Sequence, residues 1–294
     1  MVKPLRRVTD GIERWRGLDR MGTPANRLAH KVIRNGAVKD GLSGTWLGHP
    51  VHPLLVAVPI GSWVAAGVLD ALPGDNAAAA RRLVGLGVLA SVPAAATGLS
   101  DWSDTAGAEQ RVGVLHAGLN LTAIALYTGS WLCRRKSAGA GVVLALAGGV
   151  VVACAGHLGG HLAYALGVGI DTNAFQTGPG QWQAVASETE VEEGSPRAVP
   201  AAGVSLLILK QAGKIYVLAN RCTHRGAPLS DGRVGPGCIT CPWHGSVFDL
   251  ESGAVRRGPA TQPQPVYETR VVEGRIQVRR YEPRALRTNS VGSE

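Results

Sequence analysis

Apolar and small residues dominate the chain from about Leu54 to Ile170, and beyond Trp182 the pattern changes to short alternating segments. Four windows, near 53–71, 82–100, 112–133 and 139–165, are apolar and long enough to cross a hydrocarbon core, which takes roughly 20 helical residues. The turn signal Leu72-Pro73-Gly74-Asp75-Asn76 separates the first two, and the charged stop Arg134-Arg135-Lys136 separates the last two. The pattern predicts a four-helix transmembrane bundle running up and down. Ala145, Gly149 and Ala153, spaced by four, predict a face on the last helix for close approach of a neighbour.

The string Thr177-Gly178-Pro179-Gly180 breaks the helical pattern. Residues 205–210 and 215–219 flank the turn at Gln211 to Lys214, and 266–272 with 276–279 flank Glu273-Gly274-Arg275, each predicting a hairpin. About a hundred residues of short strands with Gly-rich turns predict an all-β barrel or sandwich. The expected organisation is a basic segment at 1–48, the bundle at 49–170, a linker at 171–181, the β domain at 182–281 and a flexible tail at 282–294.

A chain of 294 residues has room for two domains with separate cores. The apolar fraction of 45% is ordinary only because it averages a membrane-like half with a polar half. The net charge of +9 raises the possibility of nucleic acid, but aromatics are scarce and ten Lys and Arg precede the apolar region, so a membrane surface is the better partner. Residues 1–48 hold no apolar run resembling a cleavable leader, so delivery by the helices themselves is expected. Counted over whole segments, positive charge places both termini and the β domain in the cytoplasm; counted only near the helix ends, the balance reverses. The cytoplasmic side is the expectation.

Five of the eight histidines sit in or beside the apolar windows. His49 and His52 enter the first, His116 opens the third, and His157 and His161 close the fourth, which places all five on one membrane face. Ionisable groups at such depth are costly and commonly functional. Three readings stay open. His116 with His157 or His52 could ligate a b-type haem. His52, His116, His157 and His161, near Asp101 and Asp104, could bind a quinone or relay protons. Alternatively, the imidazoles cap helices. The string His49-Pro50-Val51-His52-Pro53 also resembles the marker of an uncharacterised family of four-helix bacterial membrane proteins, which implies the bundle and no particular ligand.

Of five cysteines, Cys133 and Cys154 read as small packing residues in the apolar segments. Cys222, Cys238 and Cys241 gather with two histidines, which points to metal before disulfides. The strings are Cys222-Thr223-His224-Arg225-Gly226 and Cys241-Pro242-Trp243-His244-Gly245, with sixteen residues between His224 and Cys241. With Phe248-Asp249, Gly253 and Gly258-Pro259, this pattern resembles the Rieske family over about 182–281. The resemblance implies a [2Fe-2S] cluster with one iron on Cys222 and Cys241 and the other on His224 and His244. The alternative for the same residues is zinc, helped by the C-x-x-C of Cys238 and Cys241; core packing is the expected role of Cys238.

Two absences narrow the branch. Ala227 and Trp243 stand where Rieske proteins of quinol-oxidising complexes carry a disulfide, so the resemblance is to ferredoxins and oxygenases, with a potential near the low end of the range, about −150 to +300 mV. No histidine follows His244 in this sequence, so the mononuclear iron site of an oxygenase is not expected here. The expected function is membrane-anchored electron transfer with a redox partner protein or quinone. A redox or oxygen sensor, with the bundle as mere anchor, is the alternative.

Overall fold

The computed structural model describes residues 4–34 and 36–281, so the tail expected at 282–294 lies outside the described residues. The chain divides into two compact units, Met1–Gly169 and Ile170–Glu294.

The first unit is helical. Its four long apolar helices are α4 (His52–Ala71), α5 (Ala77–Ser103), α6 (Gly107–Cys133) and α7 (Ala138–Tyr164), each long and apolar enough to cross a membrane. Helices α5 and α6 begin five residues before the expected windows and α5 ends three residues after its own, while α4 and α7 match theirs within a residue. His116 therefore lies within α6 rather than at its entry. Three further helices, α1 (Pro4–Arg14), α2 (Asp19–Val32) and α3 (Ala37–Ser43), occupy the basic segment that the apolar pattern left without structure. Leu5, Val8, Met21, Leu28, Val32 and Val38 stay exposed on them beside many Arg and Lys, the make-up of helices that lie in a membrane interface. Polar anchors fix these helices to the bundle. The buried Lys39 ammonium pairs with Asp104 at 2.8 Å and donates to Ser100 O at 2.6 Å, and Arg111 holds the Asp19 carboxylate by two bonds of 2.7 and 2.9 Å. Arg111 keeps Asp19 below the usual carboxylate range.

The bundle is an internal repeat of two helical hairpins, α4–α5 and α6–α7. His52 and His116 each direct Nδ1 to a carbonyl of the following helix, Ala94 O and Ala155 O, both at 2.9 Å. Each imidazole also lies over a glycine: a Cβ on Gly98 would meet the His52 ring at 2.8 Å, and one on Gly159 the His116 ring at 3.1 Å. Eleven residues after each histidine comes an aromatic ring, Trp63 or Tyr127, and each again covers a glycine, Gly87 or Gly148. The two rings stack on each other, centroids 4.0 Å apart. Seven residues further, Asp70 and Arg134 pair by bonds of 2.7 and 2.5 Å. Paired positions in α4 and α6 keep one offset, and those in α5 and α7 keep another. The close approach expected at Gly149 falls one residue earlier, at Gly148, where Tyr127 packs; Gly149 has ordinary clearance. Cys154 is exposed on the bundle's outer surface rather than packed inside it.

The second unit is three small antiparallel sheets. Strands β1 (Gln183–Ser187), β10 (Arg275–Arg280) and β9 (Tyr267–Val272) form one, and β2 (Arg197–Ala201), β3 (Val204–Gln211) and β4 (Lys214–Ala219) the second. The third is β5 (Arg233–Gly235), β6 (Cys238–Thr240), β7 (Val247–Asp249) and β8 (Val255–Arg257). Consecutive leucines of β3 point to opposite faces and feed two cores. Leu206 and Ile208 join Val199, Val217 and Ile276, while Leu207 and Leu209 join Leu218, Leu229, Ile239, Phe248, Cys222 and Cys241. The second core carries the chemistry.

Candidate metal centre

Two loops emerge beside this core, one after β4 and one between β6 and β7. They close in the same way. The Cys222 N–H donates to Ala227 O at 2.8 Å and the Gly226 N–H to Cys222 O at 2.9 Å; the Cys241 N–H donates to Ser246 O at 2.8 Å and the Gly245 N–H to Cys241 O at 3.2 Å. The turns require φ of +78° at Gly226 and +74° at Gly245, a region open to glycine at little steric cost. Each cysteine thus opens an equivalent turn, with a histidine two residues on in the first loop and three in the second.

The turns sort the four side chains by environment. Cys222 and Cys241 are 0% and 3% exposed, whereas His224 and His244 are half-buried, their rings perpendicular with centroids 5.0 Å apart. The two thiols hydrogen-bond to each other, and neither is in a disulfide. Cys241 and burial together push the Cys222 thiol up, while the bond from Cys222, aided by the Trp243 and His244 N–H groups, draws Cys241 down. The N–H groups of His224 and Arg225 aim likewise at the Cys222 sulfur. Two buried sulfurs ringed by donors form a place for shared negative charge that a metal would neutralise. Among the described residues no three His, Cys, Asp or Glu side chains gather about one ion-sized point. A paired arrangement of two thiols and two imidazoles fits two irons better than one tetrahedral zinc. Cys238 lies apart on β6 and is half-buried.

Residues outside the motif hold the loops. Gln264 donates to Ala219 O and Arg221 O at 2.6 and 2.7 Å and accepts from the Thr223 N–H at 3.2 Å. Thr172 Oγ1 donates to Cys222 O at 2.7 Å, and Asn173 Nδ2 donates to Arg221 O at 2.6 Å. Ser246 Oγ accepts from the Ala260 N–H at 3.0 Å, and Arg257 donates to Gly245 O at 2.9 Å. Thr172 and Asn173 fall in the expected linker, where no pattern marks them; only the long-range pairing reveals their role.

A family model described as Rieske [2Fe-2S] domain matches residues 181–268. The chain is 31% identical over 98 residues to the anthranilate 1,2-dioxygenase ferredoxin subunit of Burkholderia cepacia, covering 33% of this chain and 91% of that relative. The chain belongs to the Rieske [2Fe-2S] family. Ferredoxin CarAc of Metapseudomonas resinovorans is 33% identical over 98 residues, covering 33% of this chain and 92% of its own. A solved ferredoxin of carbazole 1,9a-dioxygenase from Nocardioides aromaticivorans matches at 26% identity and a TM-score of 0.33, covering 34% of this chain and 99% of that one. A second family model, described as predicted membrane protein (DUF2231), matches residues 48–172. The Rieske domain is therefore the carrier of a [2Fe-2S] cluster, joined to a membrane domain.

The membrane histidines occupy three environments in place of one cluster. His49 is exposed. His52 and His116 clamp the two hairpins, and Asn120 Nδ2 donates to His116 Nε2 at 3.1 Å. His157 and His161, on the last turns of α7, line an open cavity of about 980 Å³ together with Arg6, Thr9, Asp10 and Glu13 of α1. His161 Nε2 lies 2.8 Å from Glu13 Oε1.

Proposed function

We propose that the protein is a membrane-anchored electron carrier whose Rieske cluster is held by Cys222 and Cys241 on one iron and by His224 and His244 on the other. The observation carrying this reading is the pair of matched turns, which sets two thiols in the core and two imidazoles at the rim. When bound, the cluster supplies a one-electron acceptor whose two neutral ligands raise its potential above that of an all-cysteine cluster. The N–H groups aimed at the sulfurs stabilise negative charge there, and the half-buried imidazoles would give the electron a route to the rim. Trp243, 58% exposed, borders His244 on that rim and suits contact with a soluble redox partner. The ferredoxin relatives are named as components of dioxygenases, which supports a protein partner of that kind.

The basic segment supports a cytoplasmic Rieske domain by the positive-inside rule. Haem ligation needs bare imidazole nitrogens, and Asn120 covers His116 Nε2, so a quinone is the favoured occupant of the membrane unit. Low-temperature EPR of the dithionite-reduced full-length protein tests the central reading. A signal that appears on reduction supports it, and a zinc-loaded, EPR-silent protein overturns it. A haem band in the optical spectrum would restore the haem reading for the bundle.

A further inference from the structure

The internal repeat separates the membrane histidines into two kinds. His52 and His116 are equivalents: both clamp a hairpin through a backbone carbonyl, and both cover a glycine. Their role is met by packing. The positions in α5 equivalent to His157 and His161 of α7 are Ala96 and Ser100, of which Ser100 anchors α3, so the first hairpin repeats neither imidazole. Two histidines present in only one of the two hairpins call for a role beyond the shared packing.

Their surroundings supply one. Outside the four long helices, α1, which packs on α6, brings Asp10 and Glu13 to the same cavity of about 980 Å³, whose remaining wall includes Leu5 and Leu166. A volume of that size admits a ring-shaped head group with part of an apolar tail, since ligand pockets run from about 300 to 1,000 Å³. The polar contact is built and only partly exposed: Glu13 is 26% and His161 16% exposed at the side chain. His161 Nε2 lies 2.8 Å from Glu13 Oε1, and in the tautomer that donates this bond Nδ1 is an acceptor. An acceptor imidazole backed by a carboxylate is suited to a hydroxyl proton.

Building on the proposed electron-carrier function, we infer that the α1–α7 cavity binds the head group of a membrane quinol, with His161 accepting the hydrogen bond of a ring hydroxyl and Glu13 orienting His161. His161 is the contacting residue and Glu13 a positioning residue. A lipid head group would bring a phosphate; Arg6 is the one cation on this wall, against two carboxylates, which disfavours an anion.

The test is equilibrium binding of decylubiquinol and of a short-tailed menaquinol, each kept reduced, to full-length protein in nanodiscs, followed by tryptophan fluorescence. Binding by the wild type should weaken at least tenfold in His161→Phe and Glu13→Gln, while Glu13→Asp recovers part of the loss. The cluster EPR spectrum serves as the control that each variant folds. Binding equal in wild type and variants, or none by wild type to either quinol, overturns the inference. With an intact cluster signal, such a failure leaves the electron-carrier reading standing; a missing cluster signal in the wild type would instead strike that reading.

Discussion

Trp63 and Tyr127 lie face to face with ring centroids 4.0 Å apart and 3° between their planes, and each belongs to the corresponding place of its own hairpin. The stack joins α4 to α6 through the middle of the repeat, and Gly87 and Gly148 leave room for the two rings. Truncating either ring to Ala opens a large cavity, a loss of about 3–5 kcal/mol. The part specific to the pair is smaller, about 0.5–1.5 kcal/mol, and a double-mutant cycle isolates it. Thermal unfolding in detergent of Trp63→Ala, Tyr127→Ala and the double variant measures both. Strict additivity would mean that the rings fill space independently. Tyr127→Phe should be nearly silent, since stacking needs only the ring.

Asp70 and Arg134 sit seven residues beyond the stack in each hairpin, and their side chains are 12% and 3% exposed. Removing one partner leaves the other charge buried, a penalty of about 3–5 kcal/mol. Asp70→Asn and Arg134→Gln should each lower the unfolding midpoint strongly, while the paired change to Leu at both positions recovers most of the loss. Equal destabilisation by the paired change would show that the charges are solvated in the native state.

What the sequence revealed and what it concealed follow from how each feature is encoded. The four spans and the ligand loops are local strings: runs of Leu, Val and Ala, and Cys-x-His with Cys-x-x-His. The repeat escaped because the identities its copies share, such as His52 with His116 and Gly98 with Gly159, are few and scattered, while Trp63 stands for Tyr127 and Asp70 is answered by Arg134. Helices α1 to α3 escaped because their apolar positions are diluted by Arg and Lys, as interfacial helices require. The histidine face likewise depended on which way each ring turns, and only packing settles that.

The absence of a disulfide between the cluster loops is a finding with a consequence for potential. Ala227, buried, and Trp243, exposed, occupy the loop positions, and neither can add a crosslink. Redox titration monitored by EPR should give a midpoint near the low end of the range, about −150 to +300 mV. A midpoint well above zero would contradict the ferredoxin-like branch. Cys222→Ser or Cys241→Ser should abolish the reduced signal altogether.

Asp249 ties the Rieske core to the turn that follows it. Its carboxylate accepts from the Ser252 N–H at 2.8 Å, the Glu251 N–H at 3.0 Å and Arg256 Nε at 3.1 Å, and the Ser252 bond foremost holds its pKa down to about 2 from 3.8. A carboxyl with a folded pKa below its unfolded one stabilises the fold above the unfolded value, and the gain fades as pH falls toward the folded one. The gap in denaturant midpoint between wild type and Asp249→Asn should therefore be full above pH 4 and close between about pH 4 and pH 2. A gap constant over that window would assign the effect to neutral hydrogen bonding.

Thr172 and Asn173 brace the first cluster loop from a segment that begins only a few residues after α7 ends at Tyr164. Thr172 satisfies the carbonyl of Cys222 itself, and Asn173 shares the Arg221 carbonyl with Gln264. Removing one such bond costs about 1 kcal/mol, because the carbonyl it leaves is partly buried. If the loop must open for the cluster to be lost, Thr172→Val should speed bleaching of the visible absorbance under chelator by roughly fivefold, the ratio that 1 kcal/mol represents. Asn173→Ala should do about as much, since each carbonyl keeps a second donor, the Gly226 N–H on Cys222 O and Gln264 on Arg221 O, and combining it with Gln264→Ala should exceed the sum of the two. Bleaching at the wild-type rate in all three would mean that the cluster departs through the second loop, at Cys241 to Ser246, which these residues do not touch.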